Sequence, residues 1–348
     1  MPPEGRASVN DLEVIRRDPY NAESPSSALQ SATTPTANSY VRTNFGVPAL
    51  PGDHEIVIHG AVGREIRITT AQLERLPQRS LSATMECAGN DRLGMHPLPV
   101  GEPWRHGALS TITWSGASLS DVLRMVTPRD DAVEVLFTAA DAGPRDDAAG
   151  VVRFARSLPM AQAMRPETLI ALRMNGVPLT AEHGAPARLA VPGWYGMASV
   201  KWLTHIELLQ TPYTGYFQRK RYVYESALGV EPVTRMRVKS IITAPSDGAT
   251  CGRSIEVSGW AWSGDGAITH VAVGLDGGEQ WQSATLGVPI SDHAWTPFHA
   301  TIQVPRAGRF VLRSRATDAS GAAQPDVIVW NRLGYGNNAV RHVVIDVA

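Results

Sequence analysis

Ile255–Trp262 reads IEVSGWAW, and it sets the pattern for everything after residue 233. Apolar residues recur at alternate places, the period of a strand with one face in a core. His270–Leu275 (HVAVGL), Trp281–Leu286, Phe298–Val304, Phe310–Ala316 and Val340–Val347 repeat the alternation. Gly, Pro, Asp or Ser clusters separate them, at a spacing of roughly ten residues. About seven short strands over about 110 residues are the signature of an immunoglobulin-like sandwich. Cys251 is the one cysteine in this stretch, so the sandwich has no internal disulfide.

Upstream the texture differs. His54–His59 (HEIVIH) and Glu65–Ile68 read as strands. Thr70–Leu76 opens on a capping residue and stops at Pro77, a short helix. Leu119–Val126 has apolar residues at helical spacing, and Val133–Thr138 reads as a strand. Leu158–Ala163 suggests a helix, Asn175-Gly176 a hairpin turn, and Val200–Leu209 a strand. The block is α+β. Residues 21–39, rich in Ser, Thr, Pro and Ala without periodicity, read as an arm lying over the surface or left mobile.

Composition narrows the function. Of 348 residues 43% are hydrophobic and 19% charged, and 32 basic side chains meet 33 acidic ones. The near-zero charge excludes a general nucleic-acid or anionic-membrane surface. Gly (31) and Pro (25) argue against a helical bundle. No apolar run is long enough to span a membrane, and Met1–Tyr20 has no signal-peptide core. A cytoplasmic protein is the expectation.

Two loops carry chemistry. Thr84–Arg92 reads TMECAGNDR: one cysteine, Cys87, followed by small residues and then Arg92. A thiolate is a soft metal ligand, and a neighbouring arginine favours it. His183, Arg188 and Lys201 flank the turn Val191-Pro192-Gly193 and form a set suited to a phosphate. Gly334–Ala339 has the GxGxxA shape but leads into a strand, so it is no dinucleotide fingerprint. No HExxH and no GxSxG occurs. The residues by themselves give an anion or phosphate-bearing cofactor plus one special cysteine.

These stretches also resemble the sulfite oxidase family of molybdenum enzymes, from about residue 18 onward. The markers are Asp18–Glu23 (DPYNAE), Tyr40–Asn44 (YVRTN), Cys87–Asn90 (CAGN), Trp104–Gly107 (WRHG), Met174–Gly176 (MNG), Val200–Leu203 (VKWL), Gly259–Gly264 (GWAWSG) and Trp330-Asn331. The resemblance implies residues 40–232 as a molybdopterin-binding domain, 233–348 as an immunoglobulin-like dimerisation domain, and 1–39 as an N-terminal arm. It implies Mo-molybdopterin as cofactor, with Cys87 the protein ligand of the metal. Tyr40, Val41, Arg42, Thr43 and Asn44 then line the pterin, with Arg42 also facing the substrate. Asp141 contacts the pterin, His183 and Arg188 grip the phosphate side, and Ser199, Val200 and Lys201 clamp it. Arg92 and Trp104 wall the anion pocket, and Tyr222 hydrogen-bonds near the metal.

The implied activity is oxidation of sulfite to sulfate by oxo transfer in a homodimer. No CxxCH and no cytochrome b5 or flavin domain is present, so electrons go to oxygen or a separate cytochrome. The family pattern is broken at three positions, Asp91, Ala198 and Leu333, where arginine is usual. Arg332 stands one place early, and in extended chain a one-residue shift turns a side chain to the other face. Another oxo-transfer substrate (nitrate or an S-oxide) is the alternative, and a cofactor-free binding protein a further one.

Overall fold

Residues 12–275 and 281–348 are described by the structure, a computed structural model. The first residues of the expected arm, 1–11, lie outside them. Two five-stranded sheets build most of the first half, beside a three-stranded sheet of Glu13–Arg16, Asn21–Glu23 and Val41–Arg42 and the hairpin Val223–Ser226 and Gly229–Pro232. One runs Val177–Pro178, Leu169–Met174, Leu109–Ser118, Gln78–Glu86, with Arg188–Ala190 also paired to Leu169–Met174. The other runs Ile66–Thr69, Glu55–Gly60, Leu203–Leu209, Glu134–Arg145, Ala148–Pro159. The Glu55–Gly60 and Leu203–Leu209 strands are parallel, and the remaining pairs of that sheet are antiparallel. Ile56, Ile58, Leu109, Phe137, Leu158 and Ile206 are buried together between the elements. Each such side chain contributes about 1.5–3 kcal/mol by leaving water.

The helices are short: Thr70–Arg75, Leu119–Arg124 and Met160–Ala163. Thr69 and Gln72 close a capping box on the first, and Pro77 stands just beyond its end. Three elements of this half differ from the sequence expectation, and in the second half the strand expected over Trp281–Leu286 divides into Trp281–Ser283 and Thr285–Leu286, in different sheets. Leu158 and Pro159 finish a strand, so the helix there begins only at Met160. The strand expected from Val200 begins at Leu203, because Trp202 takes a positive φ of 50° and its indole donates to Ala181 O at 2.8 Å. Strand Glu134–Arg145 runs past Thr138 through a register shift between Thr138 and Ala142. Bulges of this kind re-aim a side chain, and Asp141 sits in it.

The second half is a two-sheet sandwich. Lys239–Ala244, Ser254–Trp262, Thr296–Gln303 and Thr285–Leu286 form one sheet. Ala249–Cys251, His342–Val347, Gly308–Asp318, Ile268–Leu275 and Trp281–Ser283 form the other. Ile255, Val257, Val271, Phe298, Leu312 and Ile345 fill the space between. Gly259 is required by close approach: a Cβ there would lie 2.0 Å from Ile241 O.

The segment 21–39 is not a loose surface arm. Asn21, Glu23, Leu29, Thr34 and Ser39 are buried. The indoles of Trp260 and Trp295, stacked at 4.9 Å, donate to Leu29 O and Ala32 O at 2.7 and 2.9 Å. Ser24 N–H donates to Gly107 O on the other side. Asn21–Glu23 pairs between Glu13–Arg16 and Val41–Arg42, and beyond it the segment stitches both halves together because its backbone groups find partners on each. Among the described residues, no helix is long and apolar enough to cross a membrane.

Candidate active site

Strand Gln78–Glu86 pairs along its whole length with Leu109–Ser118 and delivers Cys87 to its end. Cys87 N–H donates to Ala108 O, Asn90 N–H returns to Cys87 O (both 2.9 Å), and Arg92 N–H donates to Gly89 O. The turn needs glycine: a Cβ on Gly89 would meet Arg92 Nη2 at 2.3 Å. The thiol is buried, which raises its pKa; the Arg42 charge and the Gly89 N–H pull the other way.

Below the loop lies a buried ion cluster. Glu86 accepts from Lys239 Nζ (2.9 Å), Asn90 Nδ2 (3.0 Å) and the Trp262 indole (3.1 Å). Lys239 also stands 2.7 Å from Asp91 Oδ2 and donates to Asn337 O at 2.9 Å. Asp91 adopts a left-handed φ of 62° and has Arg341 3.6 Å away. Asp91 is therefore not an empty place in an anion pocket. It is an anchor turned towards the second domain.

Cys87 opens onto a cleft holding about 800 Å³ of empty space, solvent mouth included. Tyr40, Val41, Arg42, Thr43, Asn44, Asp141, His183, Arg188, Ser199, Lys201 and Tyr222 line it with Cys87. His183 Nδ1 meets Thr180 Oγ1 at 2.8 Å, while its Nε2 is buried with no partner. Burial, then Lys201 and Arg188, push its pKa down to about 3, so the ring is neutral. Lys201 is held by Glu182 O at 2.6 Å and lies 4.1 Å over the Trp202 ring. Burial raises the Asp141 carboxyl to about 6 against the pull of Lys201. Arg188 spends its donors on His183 O and Ser199 O at 2.9 and 3.0 Å, and the Ser199 hydroxyl accepts from Val191 N–H. Both brace the cleft wall as well as lining it. Asn44 joins Arg42 Nη2 (2.8 Å) to the Tyr222 hydroxyl (3.4 Å).

Three expected residues lie off the lining. Val200 is buried, and its carbonyl accepts from Leu189 N–H. Trp104 packs behind Cys87 with Ala108, fully buried, its Nε1 without a partner. Arg92 is buried too: Nε and Nη2 donate to Leu333 O at 3.1 and 2.9 Å, and Nη1 to Glu102 O at 2.7 Å. Gly89, Gly101 and Gly334 enclose its guanidinium. Arg92 is thus a keystone between the Cys87 loop and the second domain, a correction to its expected place as a pocket wall. Arg332 is exposed and paired with Glu225 (2.9 Å), outside the cleft. Sequence reasoning misses Glu86 and Lys239. Both fall where buried residues run consecutively, 83–86 and 239–241, so no alternation marks them.

The match to known proteins agrees with this arrangement. Residues 44–217 match the family model of the oxidoreductase molybdopterin binding domain, and 230–348 that of the Mo-co oxidoreductase dimerisation domain. The chain belongs to the sulfite oxidase family of molybdopterin-binding oxidoreductases. Among family members, mitochondrial sulfite oxidase of Mus musculus is 33% identical over 97% of this chain, which spans 66% of that protein's length. Sulfite oxidase of Gallus gallus is 33% identical over 93% of the chain and 75% of its own length. The solved sulfane dehydrogenase SoxCD from Paracoccus pantotrophus superposes with a TM-score of 0.81 at 29% identity, over 94% of this chain and 87% of that one.

The residues present fit the family's cofactor. Buried His183 Nε2, Asp141 Oδ1 and Trp114 Nε1 lack partners, and the three side chains line the same cleft, which therefore suits a polar ligand. Among the described residues no group of three or more His, Cys, Asp or Glu could hold a metal ion. A metal beside Cys87 would need its remaining ligands from a bound cofactor.

Proposed function

We propose that this chain oxidises sulfite to sulfate. The observation that carries the reading is a buried soft ligand, Cys87, facing a cleft it shares with Arg42, the cation that acts most strongly on the thiol. When bound, the molybdenum cofactor supplies the oxygen transferred to the substrate and takes up its electrons. Overall, sulfite and water give sulfate, two protons and two electrons.

The chain's own side chains do the rest. Cys87 would hold the metal as a thiolate, its proton passing to solvent on loading. His183, Asp141 and Lys201 meet the polar body of the cofactor, and Arg188 and Ser199 keep that wall rigid. Trp104 and Ala108 exclude water behind the thiolate. Arg42, fixed by Asn44, attracts the sulfite dianion and orients its oxygens, with the Tyr222 hydroxyl one hydrogen bond away. The electrons pass to oxygen or to a separate cytochrome, and a homodimer forms through residues 233–348, with the domain boundary at 232–233.

Protein made in cells competent for the cofactor is analysed for molybdenum and assayed with sulfite, nitrate and an S-oxide. Stoichiometric molybdenum with saturable sulfite turnover is the expected result. A fully loaded protein inert to sulfite refutes the substrate, and a folded protein that never takes up molybdenum refutes the whole reading.

A further inference from the structure

Beside the Tyr222–Tyr335 ring pair, whose centroids are 5.4 Å apart, four arginines converge in addition to Arg156, which lies 5.9 Å over Tyr222 and is committed to Phe217 O and Val233 O. Arg42 and Arg145 donate to the same atom, Asn44 Oδ1, each at 2.8 Å. Arg145 also lies 4.8 Å over Phe45 and 5.5 Å over Phe217. Arg92 lies 5.1 Å over Tyr335. Arg221 ends the π-helical turn Phe217–Arg221 immediately before Tyr222, and such turns gather at functional sites.

None of the four forms an ion pair among the described residues. Arg145 Nε and Arg221 Nε are buried and have no acceptor. Burial first, and then the charges of Arg42 and Arg221, work against the cations of Arg92 and Arg145. Like charges gathered in part-buried ground raise the free energy of the unliganded site, since Glu102 and Asp147 act on Arg42 and Arg221 only from beyond ion-pair distance, and a dianion entering it lowers that free energy.

Arg92 is committed to two backbone carbonyls, and positions 198 and 333 carry no charge. Resting on the reading of the site as an oxyanion oxidase, we propose that Arg145 and Arg221 supply the substrate-binding charge missing at Ala198 and Leu333. The anion is then drawn in along the hairpin of Glu134–Arg145 and Ala148–Pro159, on the molybdopterin-binding side of the cleft. Arg145 fixes Arg42 through their shared acceptor, and Arg221 holds the outer side of the anion.

The test uses cofactor-loaded protein with Arg221→Gln, Arg145→Gln and, as control, Arg332→Gln. Each of the first two raises KM for sulfite about tenfold while kcat stays within about twofold. Calorimetric titration of sulfate, which needs no turnover, weakens in parallel, and Arg221→Lys recovers most of the affinity. Arg332→Gln changes neither quantity. Unaltered KM and unaltered sulfate affinity in Arg221→Gln overturn the proposal. If the parent protein does not turn over sulfite, the functional reading falls, and the sulfate titrations alone decide the role of the two arginines. Should the glutamine variants not fold, phenylglyoxal labelling of the parent protein replaces them. Sulfate protecting Arg145 and Arg221 but not Arg332 supports the proposal, and equal labelling with and without sulfate refutes it.

Discussion

Lys239 Nζ stands 2.9 Å from Glu86 Oε1, and through this contact the sandwich domain holds the residue that precedes Cys87. Both side chains are almost completely buried, at 1% and 2% exposure. A buried pair is a specificity device more than a source of stability, because desolvation offsets most of the attraction. What it costs is its loss on one side only. Lys239→Met leaves Glu86 without a cation and Asp91 with Arg341 alone, and is expected to destabilise by about 3–5 kcal/mol. Glu86→Gln combined with Lys239→Met recovers part of this, read by urea unfolding of single and double variants.

Cys87→Ser tests the metal ligand apart from the fold. Molybdenum content falls to background, and activity drops at least about a hundredfold, beyond the loss of an outer-shell partner. The melting temperature stays within about 5 °C, because the loop is held by Ala108 O, Gly89 O and Glu86 and not by the sulfur. A Cys87→Ser protein that keeps stoichiometric molybdenum contradicts the assignment.

Arg92→Lys keeps the charge and loses the fork. Lysine cannot reach Leu333 O with two donors and Glu102 O with a third. A loss of about 2–4 kcal/mol is expected from the broken charged hydrogen bonds. Hydrogen exchange localises it: amides of 87–95 and 333–337 lose protection together. Unchanged protection in either segment would show that Arg92 does not join them.

Glu23 gives a pH signature. Its carboxyl is buried with Oε1 unpartnered, and burial raises its pKa to about 7, against the nearby backbone N–H groups of Arg105 and Gly107. The folded protein therefore holds a proton that the unfolded chain releases near pH 4.5. Relative stability from this group is complete below that value and is lost as pH rises through 7. Glu23→Gln should match the parent near pH 4 and exceed it by about 2 kcal/mol at pH 8. Thermal melts at the two pH values measure the difference, and equal melts at pH 8 refute it.

The sandwich is legible in the sequence because one face of each strand is wet and alternation survives, as in the eBeBeB burial of Ser254–Gly259. The stop at Pro77 is legible because it acts locally, whereas the cap is Thr69, one residue before the Thr70 on which the sequence opens the helix. The gathering of Tyr40–Asn44, Cys87, Asp141, His183, Lys201 and Tyr222 around one cleft follows from motif resemblance and from no periodicity. The Glu86–Lys239–Asp91 cluster and the Arg145–Arg221 pair escape such reading. Their partners lie far apart in the chain, and a lone charged residue in a loop or strand reads as solvated. Trp202 escapes for a different reason: a tertiary hydrogen bond to Ala181 O overrides the strand propensity of Val200–Trp202.

Arg92 finds its acceptor 241 positions downstream, and Glu86 its lysine 153 positions downstream. Time therefore enters the making of the site. While the chain emerges from the ribosome, the Cys87 loop exists for most of synthesis without Lys239 or the Leu333 carbonyl, and so without the scaffold that fixes it. Contacts of such sequence separation form late. The cofactor must accordingly meet a chain whose second domain is already made. An excised first domain, however well it folds, offers Cys87 on a loop that has not set.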